Sequence, residues 1–214
     1  MKIKNAVIFG DSYSTFEGYV PEGYVIYYST RDRAETDVRR VKETWWHGLC
    51  SEMGINLVLN DSWSGSTLCY TGYEGDCSTT SSFIFRLEKL ISDGFFEKNE
   101  IDTVFVFGCT NDSWADAPLG EAMFSDIKRE DLFKACPAIC YFLGRLKEIL
   151  PAANIIFIIN TGLKSEICDT VKKASEYYST HFVELYDIDK NCGHPTIKGM
   201  AEIKDQVLEF IANN

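Results

Sequence analysis

Five short apolar runs, separated by stretches with helical spacing, constrain this chain more than any other feature. The runs cover residues 5–9, 55–60, 102–107, 154–160 and 181–185. Most are continuous rather than alternating, which is the pattern of parallel strands buried on both faces. Helical patterns lie between them, over 44–53, 82–92, 130–150 and 165–178, and a last one over 196–212 closes the chain. Trp45, Trp46, Leu49, Cys50 and Met53 share one helix face, as do Phe83, Leu87, Leu90 and Ile91. The closing segment carries Ile197, Met200, Ile203, Val207, Leu208 and Ile211 on one stripe. Strand alternating with helix predicts an α/β fold with a parallel sheet covered on both faces. Right-handed crossovers make that a three-layer α/β/α sandwich.

A chain of 214 residues buries roughly 70% of its unfolded surface without needing a staple. There is no internal repeat and no linker-like tract, so one domain over 1–214 is the economical reading. No apolar run approaches the ~20 residues that span a bilayer. The opening residues lead straight into the first strand, which gives the expectation of a cytoplasmic chain. Net charge is −11, from 32 acidic and 21 basic residues. That balance disfavours nucleic acid and anionic membrane surfaces as partners.

Eight cysteines stand at 50, 69, 77, 109, 136, 140, 168 and 192, with no Cys-x-x-Cys pair. They read as reduced, buried small hydrophobes, with a Cys69–Cys77 disulfide as the minor alternative. Two long stretches break the alternation. Residues 13–43 are rich in tyrosine (19, 24, 27, 28) and then charged, and residues 113–129 contain Trp114 and Pro118. Both leave the carboxyl ends of strands, where open α/β sheets bind ligands, and loops this long are usually functional or disordered.

The chemistry concentrates at the same edge. Gly10-Asp11-Ser12 follows the first strand and presents a hydroxyl. A hydroxyl becomes a useful nucleophile only when a base takes its proton. The tripeptide alone is equally a loop or a helix cap. Gly65, after the second strand, offers a backbone N–H with close access for a ligand. Gly108-Cys109-Thr110-Asn111-Asp112 follows the third strand, and the Asn111 amide is a candidate oxyanion donor, against an Asn-Asp turn as the bland reading. Of three histidines, His47 reads as helix packing and His181 as part of the fifth strand. His194, in Gly193-His194-Pro195 just before the last helix, is the candidate base.

Taken in order, these four segments resemble those of the SGNH (GDSL-type) serine hydrolases, a family of esterases and lipases. The resemblance runs from residue 9 to about 200. It implies a flavodoxin-like strand order 2-1-3-4-5, with Ser12 as nucleophile and His194 as base. Ser12, Gly65 and Asn111 would then form the oxyanion hole. The family usually carries Asp three residues before the His, where this chain has Asn191. Asp189 or Asp187 nearby, the Asn191 amide or a backbone carbonyl would have to orient the imidazole, and Asp189 is the preferred candidate. There is no Gly-x-Ser-x-Gly elbow, which removes the main mark of the α/β-hydrolase fold.

The expected activity is hydrolysis of a small-molecule ester through a Ser12 acyl-enzyme, with no metal or organic cofactor. Tyr19, Tyr24, Tyr27, Tyr28 and Trp114 are candidates to line the substrate site, and their aromatic faces suit an acetylated carbohydrate. Three other readings stay open. One is a ligand-binding protein on the same scaffold with weakened chemistry. Another is a flavodoxin-like FMN binder using Ser12-Tyr13-Ser14-Thr15. The third is thiol catalysis by Cys109 or Cys192.

Overall fold

The computed structural model describes residues 1–214. Its central sheet contains β1 (Asn5–Gly10), β2 (Asn56–Ser62), β3 (Thr103–Phe107), β4 (Asn154–Ile159) and β5 (His181–Glu184). All neighbours pair in parallel, in the order β2-β1-β3-β4-β5. The expected 2-1-3-4-5 topology is therefore present, and the chain reverses direction across the sheet between β1 and β3. In open α/β sheets the ligand crevice lies at such a reversal, outside the carboxyl ends of the strands.

Successive side chains of a strand point to opposite faces, so each continuous apolar run feeds two cores. Val7, Phe9, Val104, Val106, Ile155 and Phe157 pack on one face against α2 (Phe83–Ser92), α3 (Ala135–Ile149) and α4 (Ser165–Tyr178). Ala6, Ile8, Phe105, Phe107, Ile156 and Ile158 pack on the other, against α1 (Trp45–Met53) and α5 (Ile197–Asn213). Phe142 of α3 sets its edge on Phe9 with the ring centres 5.4 Å apart, and truncating such a fully buried aromatic costs about 3–5 kcal/mol.

Three helices start on side-chain caps. Thr44, Ser82 and Thr196 accept from the backbone N–H of His47, Phe85 and Gly199. Ser165, by contrast, lies inside the first turn of α4, and no side chain caps that helix. The expected helix over 130–150 is also split. A 3₁₀ turn, Arg129–Phe133, is separated from α3 by extended Lys134 (φ −115°). Pro137 explains the break: it has no N–H to give, and its ring would clash with the Phe133 carbonyl if the helix ran on backward.

All eight cysteines are free, including Cys69 and Cys77, so the disulfide alternative falls. Five are buried, Cys50 and Cys168 are half-buried, and Cys192 is exposed. No helix is long and apolar enough to cross a membrane.

Candidate active site

The site grows out of the ends of β1, β2 and β3. After β1 the chain turns into a single 3₁₀ turn, Ser12–Ser14, which Asp11 caps by accepting from the Tyr13 N–H at 3.0 Å. Gly10 is required there: a Cβ would fall 2.6 Å from the Ser14 Cβ. The Asp11 carboxyl is buried, and that burial, reinforced by Asp112, pushes its pKa up to about 7.

His194 meets this turn from the far end of the sequence. Its Nε2 lies 2.9 Å from the Ser12 Oγ, across 182 residues of chain. Its Nδ1 lies 3.3 Å from the Cys192 carbonyl oxygen. A carbonyl only accepts, so Nδ1 carries the hydrogen and Nε2 turns its lone pair to the serine. Two tyrosines of the first long loop hold the segment in place. The Tyr13 hydroxyl donates to the Gly193 carbonyl, and the Tyr28 hydroxyl donates to the Pro195 carbonyl at 3.0 Å. Burial, then the charges of Arg33 and Lys190, hold the imidazole below its ordinary pKa, against the Cys192 contact that raises it.

Three groups are candidate oxyanion donors: the backbone amides of Ser12 and Gly65 and the side-chain amide of Asn111, which bonds to the Ser66 carbonyl next to Gly65. The backbone N–H groups of Ser12 and Gly65 have no acceptor within the protein. Gly65 sits at φ +80°, a conformation that favours glycine. Asn111 lies in the short helix Thr110–Trp114, entered through Cys109 in the left-handed region at φ 67°. A non-glycine residue there stores strain of order 1–3 kcal/mol, as functional sites often do. The Asn111 amide is clamped at both ends. Its Oδ1 accepts from the Tyr73 hydroxyl at 3.0 Å, and its Nδ2 donates to the Ser66 carbonyl at 2.9 Å. One amide hydrogen remains for a ligand.

Two buried side chains brace the loop that carries Gly65. The Asp112 carboxylate accepts from the Leu68 and Cys69 N–H groups at 2.8 and 2.9 Å. Arg86 of α2, 1% exposed, pairs with Asp61 at 2.7 Å and reaches the Gly10 carbonyl at 3.2 Å and the Ser66 Oγ at 3.3 Å. A cleft of about 450 Å³ opens at Gly65, lined by Trp63, Thr67, Tyr73, Asp76 and Ser81 among others.

This geometry can be set against known proteins. The profile of the GDSL-like Lipase/Acylhydrolase family matches residues 4–211. The chain belongs to that family. A GDSL-like lipase from Bacteroides ovatus is 40% identical, with a TM-score of 0.91 and 100% of both chains covered. One from Bacteroides uniformis is 41% identical, with a TM-score of 0.90, covering 99% of this chain and 97% of that one. An acetyl xylan esterase from Butyrivibrio proteoclasticus shares the fold at 18% identity and a TM-score of 0.64, over 98% of this chain and 63% of its own. No curated protein matches the sequence.

Within this GDSL-type hydrolase several expected roles need correction. Asp189 does not orient His194. Its carboxylate accepts from the Thr196 hydroxyl at the start of α5, and its N–H donates to Glu202. Asn191 also points elsewhere, donating to the Ala34 carbonyl at 3.1 Å. The reason is the tight hairpin of Lys190–Asn191 with His194–Pro195, in which Cys192 takes a left-handed φ of 48°. That turn carries the Cys192 carbonyl under the ring. Accordingly Asp189→Ala and Asn191→Ala should each change kcat/KM on an ester by no more than a few-fold, as steady-state kinetics will read.

The aromatic candidates separate as well. Tyr28 is fully buried and structural, not a lining residue. Tyr19 packs on Phe16 and Trp46. Tyr24 lies on Trp63, with ring centres 4.4 Å apart, beside the cleft. Trp114, 45% exposed, meets His194 edge-on at 5.9 Å. Tyr27 stacks flat on His194. Cys109 is wholly buried and its thiol is pushed well above the usual range by burial, so it is a poor nucleophile. Cys192 directs its thiol at Asn191 rather than at a base.

Arg86, Asp112 and Tyr73 escaped the sequence reading. Arg86 left a trace there, because it lies between Phe83 and Leu87 on an apolar helix stripe, where a charge needs a buried partner. Tyr73 left none. It stands in a glycine-flanked hairpin, and only folding brings it to Asn111.

Proposed function

We propose that the protein is a serine esterase and that its substrate is an acetylated carbohydrate. The observation that carries this reading is the 2.9 Å contact between His194 Nε2 and Ser12 Oγ. His194 takes the hydroxyl proton as Oγ bonds to the ester carbonyl carbon. The carbonyl electron pair moves onto oxygen, among the N–H groups of Ser12 and Gly65 and the Asn111 amide. Collapse expels the alcohol, which receives the proton from His194. Water, deprotonated by the same imidazole, then releases the acid and restores the serine.

Polar groups line the cleft beside Gly65, and Trp63, Tyr73 and Trp114 stand around the site. That mixture suits a hydroxylated ring whose faces stack and whose edges hydrogen-bond. The acetyl xylan esterase that shares this fold acts on an acetyl ester by its description. At its low identity it lends the fold, so the substrate reading rests on the lining residues. A panel of acyl p-nitrophenyl esters and acetylated sugars tests it. Acetyl esters and sugar acetates should turn over fastest. A preference for long acyl chains would overturn the carbohydrate reading.

Two further results are expected. Asn111→Ala should lower kcat roughly 10²–10³-fold, the usual cost of one oxyanion donor, in steady-state assays. The pH profile follows from His194. The base must be neutral to act, and its pKa is held below the ordinary 6.5. The rising acid limb of kcat/KM should therefore lie below pH 6.5, with activity persisting into mildly acid solution.

A further inference from the structure

An imidazole that accepts the serine proton becomes a cation, and a carboxylate behind the ring usually stabilises that cation. Behind His194 there is only the Cys192 carbonyl, at 3.3 Å. The charged groups around it work against protonation: Arg33 from the first loop and Lys190 from the hairpin both oppose a positive ring. Ser12, the Tyr13 and Tyr27 rings and the edge of Trp114 complete its surroundings. Two acids lie in the wider surroundings, Asp11 acting on Lys190 and Glu35 acting on Tyr27, and neither hydrogen-bonds to the imidazole.

What lies against the imidazole is the Tyr27 ring, 3.6 Å away and within 6° of parallel. Tyr27 is held there by the nucleophile's own turn. Its N–H donates to the Thr15 Oγ1 at 2.9 Å, and that hydroxyl donates to the Ser12 carbonyl at 3.0 Å. The Arg33 guanidinium accepts its place by donating to the Tyr27 carbonyl and lies 4.7 Å from the centre of the ring. The ring is thus fixed relative to Ser12 and offers His194 a π face.

We infer that Tyr27 is a positioning residue that takes over the missing carboxylate's work, setting the plane of the His194 ring and favouring its cationic form through the π face. A parallel stack removes the ring's freedom to swing about its side-chain bonds, so Nε2 stays aimed at the Ser12 Oγ. The negative face of an aromatic ring attracts a cation, most strongly away from water. Because the contact strengthens as the imidazole gains its charge, it lowers the barrier and not merely the energy of the resting site.

This inference rests on His194 serving as the base of Ser12, as proposed above. The test compares wild type with Tyr27→Phe and Tyr27→Leu, by kcat/KM against pH and by NMR titration of His194. Phe keeps the face and should stay within about twofold of wild type in both. Leu keeps the bulk and loses the face. It should lower the plateau rate roughly tenfold and move both the acid limb and the His194 titration to lower pH. A packing role alone predicts the opposite shift, because a loosened ring gains water and its pKa rises toward the ordinary value. Unchanged or raised titration in Tyr27→Leu, with a plateau within twofold of wild type, overturns the inference. If Tyr27→Leu fails to fold, pentafluorophenylalanine at position 27 keeps the ring's shape and reverses its face charge. It should produce the same downward shift, and wild-type behaviour there also overturns the inference. A wild-type protein that neither hydrolyses esters nor reacts with a fluorophosphonate fails the underlying esterase reading instead, and is distinguished on that basis.

Discussion

Ser12→Ala should lower ester turnover by roughly 10⁴–10⁶-fold, the range seen when a serine nucleophile is removed from a working site. The physical reason is that no other group can form the acyl bond. The Ser14 hydroxyl accepts from the Trp45 indole at 3.2 Å and is buried. Cys109 is enclosed and held protonated, and the Cys192 thiol is directed at the Asn191 side chain. The variant should fold normally, because the Ser12 side chain makes no hydrogen bond except to His194. A fluorophosphonate should label wild type at Ser12, as peptide mass mapping will locate, and should leave Ser12→Ala unmodified. His194→Ala should be nearly as slow as Ser12→Ala, and the double variant no slower than either, because the pair acts as one unit. Robust labelling of Ser12→Ala, or turnover within tenfold of wild type, would remove Ser12 from the reaction and return the site to a binding role.

Arg86→Met should be the most destabilising single substitution near the site. It strands the Asp61 carboxylate, 1% exposed, without its partner. Breaking a buried pair on one side costs about 3–5 kcal/mol, far more than the median ~0–1 kcal/mol of surface pairs such as Lys89–Asp93. For a domain of this size each kcal/mol moves Tm by about 2–4 °C, so a fall of roughly 6–20 °C is expected in a circular dichroism melt. Activity should drop further than stability alone explains, since Arg86 also reaches the Gly10 carbonyl and the Ser66 hydroxyl, which stand beside Ser12 and Gly65. The double variant Asp61→Leu/Arg86→Met separates the two effects. Without an orphaned charge it should recover most of the lost Tm, while the turnover defect persists. A single variant that melts within 2 °C of wild type would mean that the pair contributes little.

Lys89→Ala offers the contrast, for its ion pair is solvated on both sides and carries little free energy whatever its geometry. The difference between these two arginine and lysine pairs on one helix is a difference of dielectric surroundings, not of charge or distance. Both ion pairs are 2.7 Å long.

Strand runs and helix stripes were legible because they depend on neighbours in sequence. Continuous apolarity over 154–160 can satisfy only a strand covered on both sides, and the helical stripe ending in Ile211 can satisfy only a helix with one buried face. The four segments carrying Ser12, Gly65, Asn111 and His194 were legible for a related reason. Each follows a strand or precedes a helix, and a parallel sheet gathers the carboxyl ends of its strands at one edge. The order of the strands came with the family resemblance, since local pattern cannot say which strand lies beside which.

The tertiary structure alone decided how the histidine is held and what steadies the donors. Asp189 is five residues from His194 and contributes nothing to its ring, whereas Tyr27 is far along the chain and covers it. The left-handed turn at Cys192 and the hydroxyls of Tyr13 and Tyr28 fix that outcome, and each depends on where a distant backbone passes. The same holds for Tyr73 on Asn111 and Arg86 beneath Ser66. Sequence determined which chemical groups reach the sheet edge, because periodicity and chain direction are local properties. Folding determined which of those groups touch, because hydrogen bonds and stacking act over a few ångströms of space and take no account of separation along the chain.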